Sequence, residues 1–191
     1  GEAARAHVQQ TRKRVAAICV GIGTVLADDP MLTCRCENPS QPVRVVMDTH
    51  LRIPMESKLV QTAGEVPVIV FCSRPDSAKK ATLEQKGVTV LEAALQNGHV
   101  AIADCLAQLG QRGLDSVLVE GGASIHAAAL QAGCCDLVQV YVAPKLFGGD
   151  GLSPIGGMGI TTPDEAVLLS APTVTRLGQD LLLEYARKES C

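Results

Sequence analysis

The sequence is poor in aromatic residues and has no excess of basic ones. Aromatic residues make up 2% of the 191 residues and there is no Trp, so the rings on which single-stranded nucleic acid stacks are too few. Lys and Arg number 17 against 20 Asp and Glu, a formal net charge of −3. Because no basic run stands out either, we expect no nucleic-acid interface.

Long apolar runs and metal-ligand spacings are also lacking. The longest apolar stretch, residues 15–27, contains two glycines and is shorter than the about 20 residues that a membrane-spanning helix needs. The 8 cysteines include no Cys-x-x-Cys pair, so no metal site is expected. Cys19, Cys72 and Cys105 lie in apolar runs and should be buried. We therefore expect reduced thiols, a cytoplasmic location and no membrane partner.

Strand-like and helical segments alternate along the chain. The predicted helices cover residues 2–14, 24–28, 78–86, 100–111 and 123–131. The predicted strands cover residues 16–20, 43–47, 66–71, 88–91, 116–119 and 137–142, followed by a hairpin of residues 173–177 and 180–186. The glycine-rich residues 147–159 are expected to form a mobile loop. This order predicts one α/β domain with a mixed, mostly parallel sheet flanked by helices and a C-terminal antiparallel hairpin.

Glycines occupy two junctions between a strand and a helix. Residues 21–23 (Gly-Ile-Gly) precede Thr24, and Gly121 and Gly122 follow an apolar run. Such turns bring backbone N–H groups close to a nucleotide phosphate. Thr24 and Asp28 share one helical face and are candidates for binding a ribose or amide. The alternative is a plain strand–helix turn, with Thr24 as helix cap and Asp28 solvated.

Three charged residues are candidates for substrate binding. The Glu120 carboxylate ends an apolar run, where it needs water, a ligand or a partner, and it can accept hydrogen bonds from sugar hydroxyls or ring N–H groups. Arg12 and Arg35 are candidates for one anion, because a guanidinium binds phosphate with two parallel hydrogen bonds. The alternatives are an exposed strand end for Glu120 and solvated surface positions for the two arginines.

Polar residues follow two further strands. Ser73 and Arg74 can take the 2′-phosphate of an NADP-type cofactor; the alternative is a turn before Pro75. Asp48 and Thr49 can also serve the cofactor. Among the histidines, the pattern indicates exposed positions for residues 7, 50 and 99 and a place lining the site for residue 126. No nucleophile–base arrangement emerges, so no catalytic residue is assigned.

Taken together, these segments resemble the reductase domain of riboflavin biosynthesis, which is the C-terminal half of the bacterial bifunctional deaminase–reductase. The matching segments are residues 20–30, 32–35, 44–49, 119–125 and 143–149. The resemblance implies a dihydrofolate-reductase-like fold and a homodimer. It implies reduction of 5-amino-6-(5-phosphoribosylamino)uracil by NADPH, with hydride transfer to ribose C1′.

The resemblance also implies roles for individual residues. The implied cofactor contacts are Thr24, Asp28, Thr49, Gly122, Ala123, Ser124, Ile125, His126, Ala127 and Ala128. The implied substrate contacts are Arg12, Leu32, Arg35 and Glu120.

The sequence departs from the family at its start. Members of that family open the domain with a strand of Lys-x-Ala-x-Ser-x-Asp-Gly type, whereas here the first helix comes first. We expect residues 1–191 to be a reductase domain without that strand, with a groove or a partner beside the centre of the sheet. A deaminase domain is expected in the full-length protein. The alternatives are a non-catalytic nucleotide-binding or assembly module and a related pyrimidinone reductase.

Overall fold

The regular elements follow the predicted alternation. The computed structural model describes residues 1–187. Its helices are α1 (Glu2–Arg14), α2 (Ile22–Asp28), α3 (Lys58–Gln61), α4 (Ser77–Gln85), α5 (Ile102–Gln111) and α6 (Ala123–Gln131). Its strands are β1 (Ala17–Gly21), β2 (Val43–Met47), β3 (Val68–Cys72), β4 (Val88–Glu92), β5 (Leu95–Gln96), β6 (His99–Val100), β7 (Val117–Val119), β8 (Leu137–Val142), β9 (Thr173–Leu177) and β10 (Asp180–Ala186). The unpredicted elements are α3, the small β5–β6 hairpin and a short 3-10 helix at Pro163–Glu165.

A five-stranded parallel sheet with the order β4-β3-β2-β1-β7 forms the centre of the molecule. Helices cover both faces. Ile18 and Val20 of β1 pack on the side of α2, α3 and α4, and Ala17 and Cys19 pack on the side of α5 and α6. The continuous apolar runs of the sequence are explained by this burial on two faces.

The C-terminal strands form a separate antiparallel sheet with the order β8-β10-β9. Gly178 adopts the positive φ of +67° that the tight turn between β9 and β10 requires. One face of this sheet lies against α1, so that Leu182 is buried. The opposite face exposes Val140, Val174 and Leu181.

The fold class is confirmed, but the predicted strands divide into two sheets rather than joining in one mixed sheet. Within residues 1–187, β7 pairs with β1 alone and β8 pairs with β10 alone. Each of these two strands therefore has one unpaired edge. No helix in that part of the chain is long and apolar enough to cross a membrane.

The glycine-rich segment after β8 has no regular structure, but it lies along α6. Three hydrogen bonds of 2.8 Å join it to that helix. The N–H of Gly156 donates to the carbonyl oxygen of Ala123, and the side chains of His126 and Gln131 donate to the carbonyl oxygens of Pro154 and Met158. Gly156 passes so close that a Cβ there would lie 3.1 Å from the carbonyl oxygen of Ala123. The mobility of residues 147–159 stays a prediction, because these hydrogen bonds show where the segment lies and not how it moves.

The three cysteines expected in the core are buried. Cys19, Cys72 and Cys105 are each 2% exposed or less. Burial raises the pKa of Cys72 to about 11 and that of Cys105 to about 12, because a thiolate is poorly solvated inside the protein. These thiols are therefore protonated at neutral pH.

Candidate functional site

Most of the predicted cofactor contacts follow the carboxyl ends of neighbouring strands of the parallel sheet. Four neighbouring strands, in the order β7, β1, β2 and β3, point their carboxyl ends to one edge of the sheet. The segments that leave them are residues 120–122, 22–24, 48–49 and 73–74. An open parallel sheet binds its ligands at this edge.

Thr24 lies directly against the double glycine. Gly121 and Gly122 have φ values of +74° and +93°, which residues with a side chain rarely adopt. A Cβ on Gly121 would lie 3.3 Å from Thr24 Oγ1, and one on Gly122 would lie 3.5 Å from it. The structure thus brings the two predicted glycine junctions together, with Asp28 exposed one turn further along α2.

The N-terminus of α6 adds backbone donors to the same place. Gly122 is its N-cap residue, and the N–H groups of Ala123 and Ser124 in the first turn have no acceptor within the helix, whereas that of Ile125 donates to the carbonyl oxygen of Gly122 at 3.1 Å. The Ser124 side chain is exposed, whereas those of Ile125 and Ala127 are buried. A ligand can therefore contact Ile125 and Ala127 only through their backbone. Free N–H groups, the Thr24 hydroxyl and a backbone without Cβ fit the phosphate or amide groups of a dinucleotide.

Arg12 and Glu120 form a bidentate ion pair next to the double glycine. Arg12 Nε donates to Glu120 Oε1 at 2.9 Å, and Nη2 donates to Oε2. Arg12 Nη1 donates to the carbonyl oxygen of Thr33 at 3.0 Å. The side chains are 13% and 21% exposed. The Glu120 carboxyl group is therefore an acceptor beside the double glycine, held in one orientation by Arg12.

Arg12 and Arg35 line one cleft of about 740 Å³, together with Gln9 and Tyr141. The backbone N–H of Arg35 donates to Gln9 Oε1 at 2.7 Å, and the residue is exposed. The two arginines therefore line the same cleft, and their convergence on one anion stays a prediction. The two guanidinium groups differ in their hydrogen bonding. That of Arg12 is bound to Glu120, whereas the structure records no partner for that of Arg35 within residues 1–187.

Three of the predicted contact residues have side chains that already pack or hydrogen-bond within the protein. Leu32 is 4% exposed and packs in the core beside β1, so a ligand can reach only its backbone. Asp48 is fully buried and accepts from the N–H of Ile53 at 2.7 Å. The Thr49 hydroxyl accepts from the N–H of Val100 at 3.1 Å, which leaves it one hydrogen to donate.

Ser73 and Arg74 take different positions after β3. The Ser73 hydroxyl donates to the carbonyl oxygen of Thr49 at 3.2 Å. Arg74 is exposed and lines a second cavity of about 410 Å³ with Lys80 and Glu92. Lys80 Nζ lies 3.9 Å from Glu92 Oε1, so one of the two cations in this cavity has an acidic neighbour.

Sequence reasoning missed the contribution of Tyr141 and misplaced His7. His7 is half-buried rather than solvated, and its Nδ1 shares a 2.8 Å hydrogen bond with the Tyr141 hydroxyl. Burial raises the pKa of Tyr141, so its phenol stays protonated in the cleft. No local signal links these residues, because α1 and β8 are more than 120 residues apart and meet only in the folded chain.

Comparison with known proteins identifies the family of the chain. The family model described as RibD C-terminal domain matches residues 1–183. A riboflavin biosynthesis protein RibD of Actinobacillus pleuropneumoniae is 45% identical over 186 residues, which are 97% of this chain and 50% of that protein. The chain thus spans about half the length of that relative.

Two further relatives extend the comparison. The 2,5-diamino-6-ribosylamino-4(3H)-pyrimidinone 5′-phosphate reductase of Methanothermobacter thermautotrophicus is 32% identical over 98% of this chain and 87% of its own length. The solved structure of Acinetobacter baumannii RibD superposes with a TM-score of 0.83 at 29% identity, covering 98% of this chain and 51% of that one. This chain therefore belongs to the RibD C-terminal domain family.

Proposed function

We propose that the chain is an NADPH-dependent reductase that converts 5-amino-6-(5-phosphoribosylamino)uracil to its ribitylamino product. Family membership supports a reductase that uses a nicotinamide cofactor. The name of the archaeal relative supports a phosphorylated ribosylaminopyrimidine as the substrate class. The observation that carries the proposal is the contact of Thr24 with the double glycine, next to the Arg12–Glu120 pair.

The proposed cofactor site extends along the strand ends. Thr24, Asp28 and residues 122–128 would bind the nicotinamide half and the pyrophosphate, and Thr49 would lie beneath the middle. Ser73 and Arg74 would meet the 2′-phosphate. Three strand spacings separate β7 from β3, or about 14 Å, a distance on the scale of a dinucleotide. When bound, the nicotinamide supplies the hydride that reduces ribose C1′.

The chain's own residues would orient the substrate. The Arg35 guanidinium would bind the phosphate, since it is exposed in the cleft that Arg12 also lines. The Glu120 carboxylate would accept from the sugar hydroxyls or the pyrimidine N–H groups, and Arg12 would fix its orientation. Arg12 uses three of its five N–H donors on Glu120 and Thr33, so two remain that can donate to the phosphate.

Cofactor binding can be tested without turnover. Ser124→Trp fills the space at the N-terminus of α6 and should weaken NADPH binding at least tenfold, measured by nicotinamide fluorescence titration. Thr82→Trp, at another exposed helical position, is the matched control and should bind normally. Equal affinities of the two variants would contradict the proposed cofactor site.

The 2′-phosphate subsite has its own test. Arg74→Ala should lower the affinity for NADPH about tenfold, because a charge-assisted hydrogen bond is worth roughly 1.5–3 kcal/mol, and should leave NADH binding unchanged. If wild-type protein binds NADH as tightly as NADPH, the assignment of NADPH fails.

Turnover separates catalysis from mere binding. The chain should oxidise NADPH in the presence of the phosphoribosylaminouracil, and Glu120→Gln should raise KM for this substrate with little change in NADPH affinity. Cofactor binding without turnover would favour the second candidate, a non-catalytic nucleotide-binding or assembly module. Faster turnover of the diaminopyrimidinone analogue would favour the third, a reductase of the archaeal type.

β7 in the parallel sheet and β8 in the antiparallel sheet each have one unpaired edge. These edges favour one further strand that pairs with them. We infer that residues 1–191 form one reductase domain that accepts an extended segment between these edges, supplied by an additional strand or by a partner. The test compares this chain with a version carrying an added N-terminal strand and with one carrying the same residues in scrambled order. Only the ordered strand should raise Tm and turnover.

RibD relatives are twice as long as the matched region, which supports a deaminase domain in the full-length protein. We also propose a homodimer in the cytoplasm. Mass measurement in solution by light scattering tests the dimer, and fluorescence imaging of the tagged full-length protein tests the location.

A further inference from the structure

Two cysteines beside the proposed substrate cleft lie in sulfur–sulfur contact. Cys34 and Cys36 flank Arg35, and their Sγ atoms are 3.1 Å apart. Both are free thiols; Cys34 is 2% exposed and Cys36 is half-buried. A disulfide bond is about 2.05 Å long, so the two sulfurs need to approach by only about 1 Å. Within residues 1–187, no other pair of cysteine sulfurs is recorded in hydrogen-bond contact.

The backbone around this pair is held in place by glutamine side chains. Gln41 Oε1 accepts from the N–H of Cys34 and Gln41 Nε2 donates to the carbonyl oxygen of Cys34, both at 2.9 Å. Gln9 accepts from the N–H of Arg35 through its side chain and from Cys34 Sγ through its carbonyl oxygen. The two thiols are thus positioned before any reaction, which favours closure of a bond between them over reaction with separate molecules.

We propose that Cys34 and Cys36 form a reversible disulfide on exposure to a low-molecular-weight disulfide such as oxidised glutathione. The more exposed Cys36 thiolate attacks the small disulfide, forms a mixed disulfide and releases one thiol. Cys34, after losing its proton to solvent, attacks Cys36 Sγ and releases the second thiol. Two protein thiols are oxidised, and one small disulfide is reduced to two thiols.

The conditions for this reaction follow from the surroundings of Cys36. Its hydrogen bond with Cys34, together with burial, raises the pKa of Cys36, so little thiolate is present at neutral pH. Disulfide formation should therefore accelerate as the pH rises, and the thiols should persist in a reducing compartment. The raised pKa therefore slows the reaction, since susceptibility to oxidation follows thiolate character, while the closeness of the two sulfurs favours the ring closure.

The disulfide would change the position of Arg35, because the small ring it closes contains the whole Arg35 backbone. The hydrogen bonds from Cys34 and Arg35 to Gln9 cannot all persist when the two sulfurs approach. This consequence rests on the proposed function, in which Arg35 binds the substrate phosphate. Oxidation should then lower substrate affinity about tenfold, as expected when one charge-assisted hydrogen bond is lost.

The test uses the full chain and a tryptic digest. Trypsin cleaves after Arg35, between the two cysteines, so reduced and alkylated protein yields residues 15–35 and 36–44 as separate peptides. After treatment with oxidised glutathione and alkylation without reduction, mass spectrometry should find these segments joined and lighter by two hydrogens. Dithiothreitol should separate them again.

Matched variants decide which cysteines react. Cys36→Ser and Cys34→Ser should abolish the joined species, and Cys135→Ser should leave it unchanged. Joined peptides in Cys34→Ser would assign the bond to Cys19, which shares the peptide 15–35, and would overturn the proposal. So would alkylation of both residues after oxidation, a stable glutathione adduct on Cys36, or a bond from either residue to Cys191.

The binding measurement keeps the two proposals apart. If the disulfide forms and substrate affinity does not fall, the placement of Arg35 at the phosphate is wrong and the disulfide stands. If no disulfide forms while wild-type protein turns over the substrate, the reductase assignment stands and the redox site is rejected.

Discussion

The parallel and antiparallel sheets of this chain use their apolar residues in opposite ways. In β1, β2 and β3 nearly every residue is buried, because helices cover both faces. In β8 and β9 every residue is half-buried or exposed, since α1 covers one face alone. The contribution of a strand to stability therefore depends on how many of its faces are covered, and not on its being a strand.

The largest expected difference in the free energy of unfolding is between substitutions of the two phenylalanines of the chain. Phe71 in β3 is fully buried, whereas Phe147 after β8 is 82% exposed. Phe71→Ala should lower the free energy of unfolding by about 3–5 kcal/mol through lost burial and a cavity. Phe147→Ala should change it by less than about 0.5 kcal/mol. Denaturant unfolding of both variants provides the check, and similar losses would refute the contrast.

Two arginines on strands give the next largest expected difference. Arg44 in β2 is fully buried; its guanidinium donates to Thr62 Oγ1 at 2.7 Å and to the carbonyl oxygens of Thr62 and Val66. Arg44→Ala leaves these acceptors without a donor and should destabilise the protein by about 3 kcal/mol.

Arg176 in β9 is exposed and supplies the control for Arg44. Arg176→Ala should fall within about 0.5 kcal/mol of wild type in the same denaturant measurement. A small loss for Arg44→Ala would mean that water replaces its hydrogen bonds, and hence that β2 is less enclosed than its burial indicates.

Thiol chemistry distinguishes the two regions without mutation. With pKa values of about 11 and 12, Cys72 and Cys105 have at most roughly one thiolate in 1,000 at about pH 8, and both side chains are buried. They should resist iodoacetamide in native protein and react after unfolding. Half-buried Cys134 should react in the native state. Peptide mapping after timed alkylation gives the rates, and equal rates would contradict the burial of the core thiols.

The smallest predicted effect lies in the exposed C-terminal region. Hydrogen bonds from the N–H groups of Thr161 and Thr162 hold the pKa of Glu165 below its ordinary value of 4.5. A depressed carboxyl pKa favours the folded turn above that value, and this contribution is lost as the pH falls through the lower, folded-state pKa. The amide NMR signals of both threonines should titrate with a midpoint below 4.5, and Glu165→Gln should abolish that titration.

The sequence predicted the regular elements well because their signals are local. The bounds of α1, β2, α6 and β8 match the structure, since periodicity and the flanking Gly or Pro act over a few residues. The start of α5 was placed too early, at residue 100, where His99 and Val100 instead pair as β6. A two-residue strand leaves no periodic pattern to read.

The site was predictable only in part. Glycines at the ends of β1 and β7 indicated a shared edge, and the contact between Thr24 and Gly121 agrees with this. The pairing of Arg12 with Glu120 was not foreseen, since both were assigned to the substrate and 108 residues separate them. Such long-range partners depend on how α1 packs, which no local pattern specifies.

The unpaired edges of β7 and β8 have a practical consequence for handling the protein. Each presents a row of backbone donors and acceptors that a strand from another molecule can pair with. Aggregation should therefore increase with protein concentration, and refolding at high protein concentration should give more aggregate and less native protein.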